Sequence, residues 1–185
     1  KSLLQLIKLI FLSSFLLIIS FSLNLKNPST IYSKDGVYEK ITVYDGEYNG
    51  KNARILMQDR SWSSAYYPET HDLAFDYTKY YTLYKLIGRK LQRALFIGGG
   101  AYSMPHFLVE ELPDVVIDVS EIEPSLYELS KKYFGVIENP RLHNHVVDGR
   151  RFLRDSKDSY DMIFSDVYSS VYSIPSHFTT LEFFE

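Results

Sequence analysis

Four short segments of strand length, the first two of them apolar, are separated by helix-length stretches in the second half of the chain. They cover residues 94–97, 115–119, 142–147 and 160–165. Continuous apolar runs of this length are typical of parallel strands that are buried on both faces of a sheet. Residues 106–111, 124–134 and 150–153 have the composition of helices, and Gly135 closes the second of them. The alternation predicts an α/β fold with a parallel sheet.

A different pattern precedes this region. From Val37 onward the side chains alternate with a period of two, so that Val37, Glu39, Ile41 and Val43 share one face. The turn dipeptides at positions 45–46 and 49–50, followed by a return strand over residues 53–57, predict a small antiparallel hairpin unit within residues 29–70. By itself this unit indicates a lid or a packing layer.

The spacing over residues 72–89 predicts a helix. Tyr77, Tyr80, Tyr81 and Tyr84 follow the i, i+3, i+4, i+7 spacing of one helical face. We interpret this face as a core stripe, with Tyr77 as the exception discussed below.

The N-terminal part, residues 1–28, is organised around seventeen uncharged residues at positions 9–25, flanked by Lys8 and Lys26. This length predicts a transmembrane helix, and hence an integral membrane protein. We expect this helix to be the last of several, because the chain lacks a start, and we expect the domain that follows it to be cytoplasmic, although lysines on both sides of the helix do not determine its orientation. A cleaved signal peptide and a buried core helix are the alternatives. Because the chain starts at Lys1 and stops at Glu185 within a helix-like pattern, we expect both ends to be cut and the sheet to lack its last strands.

Composition narrows the functional classes. The 185 residues, 45% of them hydrophobic, suffice for one domain with a sizeable core, here residues 71–185. The net charge of −3 does not indicate the basic surface that nucleic-acid binding requires, so we expect no nucleic acid as a partner. The chain has no cysteine, which excludes disulfides and thiolate chemistry.

A glycine loop follows the first parallel strand. Gly98, Gly99 and Gly100 begin a dinucleotide-type pattern, but Ser103 replaces its last glycine and Pro105 lies in the first helical turn. The sequence thus favours a Rossmann-like site for an adenosine without phosphates. The alternative is a glycine turn that only packs strand against helix.

Carboxylates follow the next three strands: Glu121, Asp148 and Asp166. Since the carboxyl ends of parallel strands share one edge of the sheet, we expect the three acids to meet there. Glu121 is placed to bind a ribose, and Asp148 is placed to accept a hydrogen bond from an adenine amino group. Asp166 is then expected beside the tail of a sulfonium nucleoside such as S-adenosylmethionine or its decarboxylated form. Asp166 would then accept the proton of an attacking amine.

The histidines give less information about function than the strand-end carboxylates do. His143 and His145 share a strand face, but no third ligand is evident, so we expect no metal. His71, His106 and His177 are interpreted as solitary polar or surface residues.

Six segments together resemble the spermidine/spermine synthase family of aminopropyltransferases, in particular its membrane-fused branch, over about residues 38–185. They are YEKITV, IGGGAYSMP, SEIEP, VVDGRRFL, YDMIFSDVY and IPSHFTTLEFF. The resemblance implies transfer of an aminopropyl group from decarboxylated S-adenosylmethionine to a small amine, with release of methylthioadenosine, by a protein that forms a homodimer. It implies Asp166 as the catalytic acid/base. It assigns cofactor binding to Gly98, Gly99, Gly100, Glu121, Ile122, Asp148 and Gly149, and substrate binding to Tyr77, Glu39 and Tyr168.

Three positions depart from the family pattern. Ala101 replaces the aspartate that holds the aminopropyl amine, Ser169 replaces a second loop aspartate, and Glu39 replaces a glutamine. The nucleoside site therefore looks intact and the amine site altered. Two alternatives remain: an S-adenosylmethionine-dependent methyltransferase, and a non-catalytic domain that binds a nucleoside or polyamine.

Overall fold

The computed structural model describes residues 3–23, 29–86, 88, 90–167 and 173–184. The chain divides into two compact units, residues 1–30 and residues 31–185. Helix α1, Leu3–Leu23, belongs to the first unit. The two sheets and all of the predicted site residues belong to the second.

Helix α1 is longer than the predicted span. It starts at Leu3 rather than Leu9, and therefore includes Gln5 and Lys8. Within the described residues, no helix combines the length and the hydropathy that crossing a membrane requires. The structure thus does not support the predicted transmembrane helix.

The N-terminal part of the second unit is a four-stranded sheet rather than a hairpin, in the order β1-β2-β3-β4. Its strands are β1 Thr30–Asp35, β2 Lys40–Tyr48, β3 Lys51–Gln58 and β4 Ser61–Tyr66. The predicted turn at Asp45 is wrong, because β2 continues through it and Asp45 pairs with Arg54 across the ladder. The true turn is at Asn49 and Gly50, which both have positive φ angles, as a tight hairpin turn requires.

The predicted helix of tyrosines is a 3₁₀ helix, Asp76–Leu86, and its period changes which side chains are buried. With three residues per turn, side chains at i and i+3 eclipse one another. Tyr77, Tyr80, Leu83 and Leu86 consequently form one exposed row. Thr78, Tyr81 and Tyr84 form the inner row. The predicted core stripe is therefore wrong for Tyr80, whereas Tyr81 and Tyr84 pack against the core and Tyr77, the predicted exception, is exposed.

The second sheet is parallel and has the order β7-β6-β5-β8. Its strands are β5 Arg93–Ile97, β6 Val116–Glu121, β7 Leu142–Val146 and β8 Met162–Ser165. The connecting helices are α2 Ser103–Glu111, α3 Leu126–Tyr133 and α4 Gly149–Asp155, and after the last strand come a 3₁₀ turn, Ser176–Phe178, and α5 Leu181–Phe184. The α/β fold with a parallel sheet is confirmed.

One hydrophobic core joins the two sheets. It contains Ile41 and Leu56 from the antiparallel sheet, Phe96 and Val119 from the parallel sheet, and Leu108 from α2. Burial of such large side chains contributes roughly 1.5–3 kcal/mol each. The joint core fixes the antiparallel sheet beside the carboxyl ends of β5 and β6, where the site lies.

Candidate functional site

A cavity of about 1370 Å³ lies between the antiparallel sheet and the carboxyl edge of the parallel sheet. Every predicted site residue that the structure describes contributes to its wall. These residues are Glu39, Tyr77, Gly98, Gly99, Gly100, Glu121, Ile122, Asp148, Gly149 and Asp166. Tyr168 and Ser169 lie outside the described residues.

Glu121 holds the glycine loop. One oxygen of its carboxylate accepts hydrogen bonds from the backbone N–H groups of Gly99 (2.7 Å) and Gly100 (3.4 Å). The other oxygen accepts from the N–H of Glu123 at 2.8 Å. Each carboxylate oxygen has two lone pairs, so acceptor capacity remains for a ligand hydroxyl. The acid predicted to bind ribose thus also shapes the loop above it.

Gly98 brings the glycine loop against the strand end that carries Asp166. It has a φ of +88°, and a Cβ there would lie 2.4 Å from the carbonyl oxygen of Asp166. The Asp166 N–H in turn donates to the Ile97 carbonyl at 2.9 Å. A side chain at position 98 would separate the two strands, which explains why the site needs glycine here.

Glu123 connects the strand end to the antiparallel sheet. It is buried, and one of its carboxylate oxygens accepts from the N–H groups of Val37 (2.7 Å) and Tyr38 (3.2 Å), in the β1–β2 turn. Its other oxygen accepts from the hydroxyl of Ser125 at 2.8 Å. Burial opposes ionisation of Glu123, but these hydrogen bonds outweigh it, so the net effect lowers the pKa.

Asp148 caps helix α4 and contacts a histidine from the C-terminal segment. Its Oδ1 accepts from the N–H of Arg151 at 2.9 Å, and its Oδ2 lies 3.3 Å from Nε2 of His177. Arg150 donates to the carbonyl of His177 at 2.7 Å, which fixes that segment. His177 is an exposed residue, as expected, but it is not solitary, because it lines the cavity and contacts Asp148. The contact spans 29 residues, and no local pattern could have revealed it.

Asp166 is a cavity acid whose protonation is shifted by its environment. Burial raises its pKa, and a 3.1 Å hydrogen bond from the hydroxyl of Tyr77 offsets part of that effect. A carboxylate with a raised pKa accepts a proton more readily than one in water. Tyr77 comes from the exposed row of the 3₁₀ helix, stacked on Phe75 at 5.9 Å between ring centroids.

Glu39 lies across the cavity on the antiparallel sheet, hydrogen-bonded to Gln58. Burial raises its pKa, and the nearby charges of Glu121, Asp59 and Glu123 raise it further, although Gln58 opposes this effect. A concentration of carboxylates in a half-buried cavity favours a cationic ligand.

Ser120 is a cavity residue that the sequence analysis missed. It is buried, and its hydroxyl makes no hydrogen bond to any described residue. Unsatisfied buried hydroxyls are rare and call for a partner. Its position directly before Glu121 is the one signal that could have identified it.

Ala101 is completely buried and does not line the cavity. Its backbone N–H donates to the hydroxyl of Ser64 on β4 at 3.1 Å. The loop is therefore attached to the antiparallel sheet at the position where the family pattern has an aspartate.

The structure also brings a third potential metal ligand to the paired histidines. Asp118 on β6 lies beside His143 and His145 on β7, and the ligand atoms of the three are within 4.8 Å of one another. The expectation that no third ligand exists is wrong, because the carboxylate comes from the neighbouring strand.

Comparisons with known proteins identify the class of fold. The parallel sheet and glycine loop place residues 31–185 among Rossmann-like α/β domains of the type that spermidine synthases and methyltransferases share. The structure is similar to that of a probable spermidine synthase from Corynebacterium glutamicum ATCC 13032. The TM-score is 0.71 and the identity 25%, with 83% of this chain and 57% of that one covered.

The family follows from the sequence matches. The model of the spermine/spermidine synthase domain matches residues 82–185, and the chain belongs to this family. The polyamine aminopropyltransferase of Vibrio vulnificus (strain CMCP6) is 26% identical over 158 residues, which cover 83% of this chain and 52% of that protein. The Homo sapiens eEF1A lysine and N-terminal methyltransferase is 32% identical over 81 residues, covering 40% of this chain and 12% of that protein. The chain spans about half the length of the polyamine aminopropyltransferases that it matches. Membership of the membrane-fused branch stays a prediction.

Proposed function

We propose that the protein transfers an aminopropyl group from decarboxylated S-adenosylmethionine to a small amine. The observation that carries this proposal is the position of Asp166, with its raised pKa and its Tyr77 hydrogen bond, in the same cavity as Glu121 and the glycine loop. The family membership and the polyamine aminopropyltransferase relatives support it.

In this proposal the nucleoside lies along the carboxyl edge of the parallel sheet. Glu121 accepts from the ribose hydroxyls, Asp148 from the adenine amino group, and the apolar side chain of Ile122 packs against the base. Glycines at positions 98–100 and 149 let the ligand approach the backbone closely. Glu39 and Tyr77, across the cavity, contact the cationic amine.

The chemical step is a displacement at carbon. The neutral nitrogen of the acceptor attacks the aminopropyl carbon that is bonded to the sulfonium. The carbon–sulfur bond breaks, and its electron pair stays on sulfur, which leaves neutral methylthioadenosine. The proton that the nitrogen sheds goes to Asp166. Alkylamines are mostly protonated near neutral pH, so a positioned base contributes roughly two to four decades in rate.

Methyl transfer from S-adenosylmethionine is the second candidate. It is favoured by the match to the human methyltransferase and by Ala101, since no carboxylate stands there to hold an aminopropyl amine. The nucleoside contacts would be the same in both reactions.

The experiment supplies purified full-length protein with either sulfonium donor and a panel of di- and polyamines. Methylthioadenosine release supports the proposal, adenosylhomocysteine release supports methyl transfer, and binding without turnover indicates a non-catalytic domain. The Asp166→Asn variant should lose at least about a hundredfold in rate and retain nucleoside binding. Unchanged turnover in that variant would remove Asp166 from the mechanism.

A further inference from the structure

Outside the nucleoside cavity, the edge of the parallel sheet carries a compact set of nitrogen and oxygen donors. Asp118 on β6 is completely buried, whereas His143 and His145 on the edge strand β7 are partly exposed to solvent. Nδ1 of His143 lies 3.3 Å and Nε2 of His145 lies 2.8 Å from the same Asp118 oxygen, Oδ1. None of the three side chains lines the nucleoside cavity.

The hydrogen bonds of His143 cannot all be satisfied by a neutral ring. Nδ1 faces the carboxylate of Asp118, and Nε2 faces the carbonyl oxygen of Pro140 at 3.1 Å. Both partners are acceptors, but a neutral imidazole has one N–H. If the N–H is on Nε2 and donates to Pro140, the lone pair of Nδ1 points toward Asp118. Either a second ring proton, which makes both nitrogens donors, or a metal ion between Nδ1 and Oδ1 resolves this conflict.

The contacts around the three donors are those that metal ligands use. A histidine ligand commonly donates its second N–H to a backbone carbonyl, as Nε2 of His143 can to Pro140. The second oxygen of Asp118 is held by Arg93, through Nε at 2.9 Å and Nη2 at 2.8 Å. The ring of Phe152 packs against His145 with 4.6 Å between centroids. The contacts with Arg93 and Phe152 leave Oδ1 of Asp118 and Nε2 of His145 facing each other at 2.8 Å.

We propose that Asp118, His143 and His145 form a binding site for a divalent transition metal such as zinc. The ligands are Oδ1 of Asp118, Nδ1 of His143 and Nε2 of His145, a set of two imidazoles and one carboxylate. Bonds of about 2.1 Å in a tetrahedral site place ligand atoms roughly 3.4 Å apart. The 3.3 Å between Nδ1 of His143 and Oδ1 of Asp118 matches this spacing, and Nε2 of His145, at 2.8 Å from Oδ1, would move slightly away, which its partly exposed ring permits. Solvent completes the coordination shell. The metal connects edge strand β7 to β6, two residues before the cavity residue Ser120.

The test is isothermal titration of the full-length protein, purified without a polyhistidine tag, with Zn²⁺ and separately with Mg²⁺. One zinc should bind per chain, and magnesium, which prefers oxygen ligands, should show no binding in its own titration. His143→Ala and His145→Ala should each weaken zinc binding at least tenfold. His71→Asn, at an exposed histidine with a left-handed backbone conformation that asparagine tolerates, should leave the zinc affinity unchanged.

Two further measurements test whether zinc binds at this site in the folded protein. At zinc concentrations about a hundredfold above Kd, the melting temperature should rise by roughly 5–10 °C. In ¹⁵N spectra of the imidazoles, zinc should shift Nδ1 of His143 but Nε2 of His145, two different ring nitrogens. No zinc binding up to millimolar concentration, or binding that survives both alanine variants, would overturn the proposal. Neither result bears on the transferase activity, which is measured separately with the sulfonium donors.

Discussion

The hydroxyl of Tyr77 donates a 3.1 Å hydrogen bond to Oδ2 of Asp166, across 89 residues of sequence. Tyr77 is on the 3₁₀ helix that follows the antiparallel sheet, and Asp166 follows β8 of the parallel sheet. The contact therefore exists only when both parts of the second unit are folded against each other. It also lowers the pKa of the proposed catalytic base, against the larger effect of burial.

Tyr77→Phe should move the acidic limb of the rate profile to higher pH. The hydrogen bond lowers the pKa of Asp166 against the larger effect of burial, so its removal raises that pKa further. The base form is then lost at a higher pH as the solution is acidified. The measurement is kcat/KM against pH. Tyr80→Phe, one turn further along the exposed row, is the matched control and should leave the profile in place.

Asp166→Asn should gain thermal stability near neutral pH while it loses activity. Because the folded-state pKa of Asp166 is raised, the stability that this group contributes is complete below the unfolded pKa and declines as the pH rises through the folded pKa. A neutral amide avoids that decline. Melting curves at pH 4 and pH 7 should show a difference from wild type at pH 7 alone. If the variant is less stable than wild type at pH 7, the raised pKa assigned to Asp166 is wrong.

Ser120→Ala should raise the stability of the ligand-free protein and lower its affinity for the nucleoside. The buried hydroxyl has no partner among the described residues, so its removal should stabilise the ligand-free protein by about 1 kcal/mol. Affinity for methylthioadenosine should fall severalfold if the hydroxyl bonds the nucleoside. Ser130→Ala is the control, since that buried hydroxyl donates to the carbonyl of Leu126 at 2.7 Å and should give no gain in stability.

Glu121→Gln should damage both the glycine loop and nucleoside binding. Both carboxylate oxygens accept backbone hydrogen bonds, and an amide NH₂ group would face one of those donors unpaired. Hydrogen bonds to a charged group contribute about 1.5–3 kcal/mol, so affinity for methylthioadenosine should fall by roughly ten- to a hundredfold. Calorimetry measures this loss. Glu138→Gln, on an exposed side chain, should bind as wild type does.

Glu123→Gln should cost about 2 kcal/mol of unfolding free energy at neutral pH, because the carboxylate accepts N–H groups from the β1–β2 turn. The lowered pKa of Glu123 means that its contribution is present above the unfolded pKa and is lost as the pH falls through the folded pKa. Urea unfolding should therefore show wild type and variant converging at low pH. The exposed ion-paired Glu128 gives the control, and Glu128→Gln should change stability little.

The sequence by itself determined the succession of strands and helices in the parallel sheet and the acids at the strand ends. Both depend on local periodicity and on the rule that parallel strands share a carboxyl edge. For that reason the sequence alone predicts that Glu121, Asp148 and Asp166 lie near Gly98.

Only the tertiary structure decided the contacts between distant segments. Local spacing does not distinguish a 3₁₀ from an α-helix, so the sequence placed Tyr80 on a core face although it lies in the exposed row with Tyr77. The contact of His177 with Asp148 and the position of Asp118 beside His143 depend on which strands and segments become neighbours. These contacts depend on how the whole unit packs, so they cannot be predicted from the residues of any one segment.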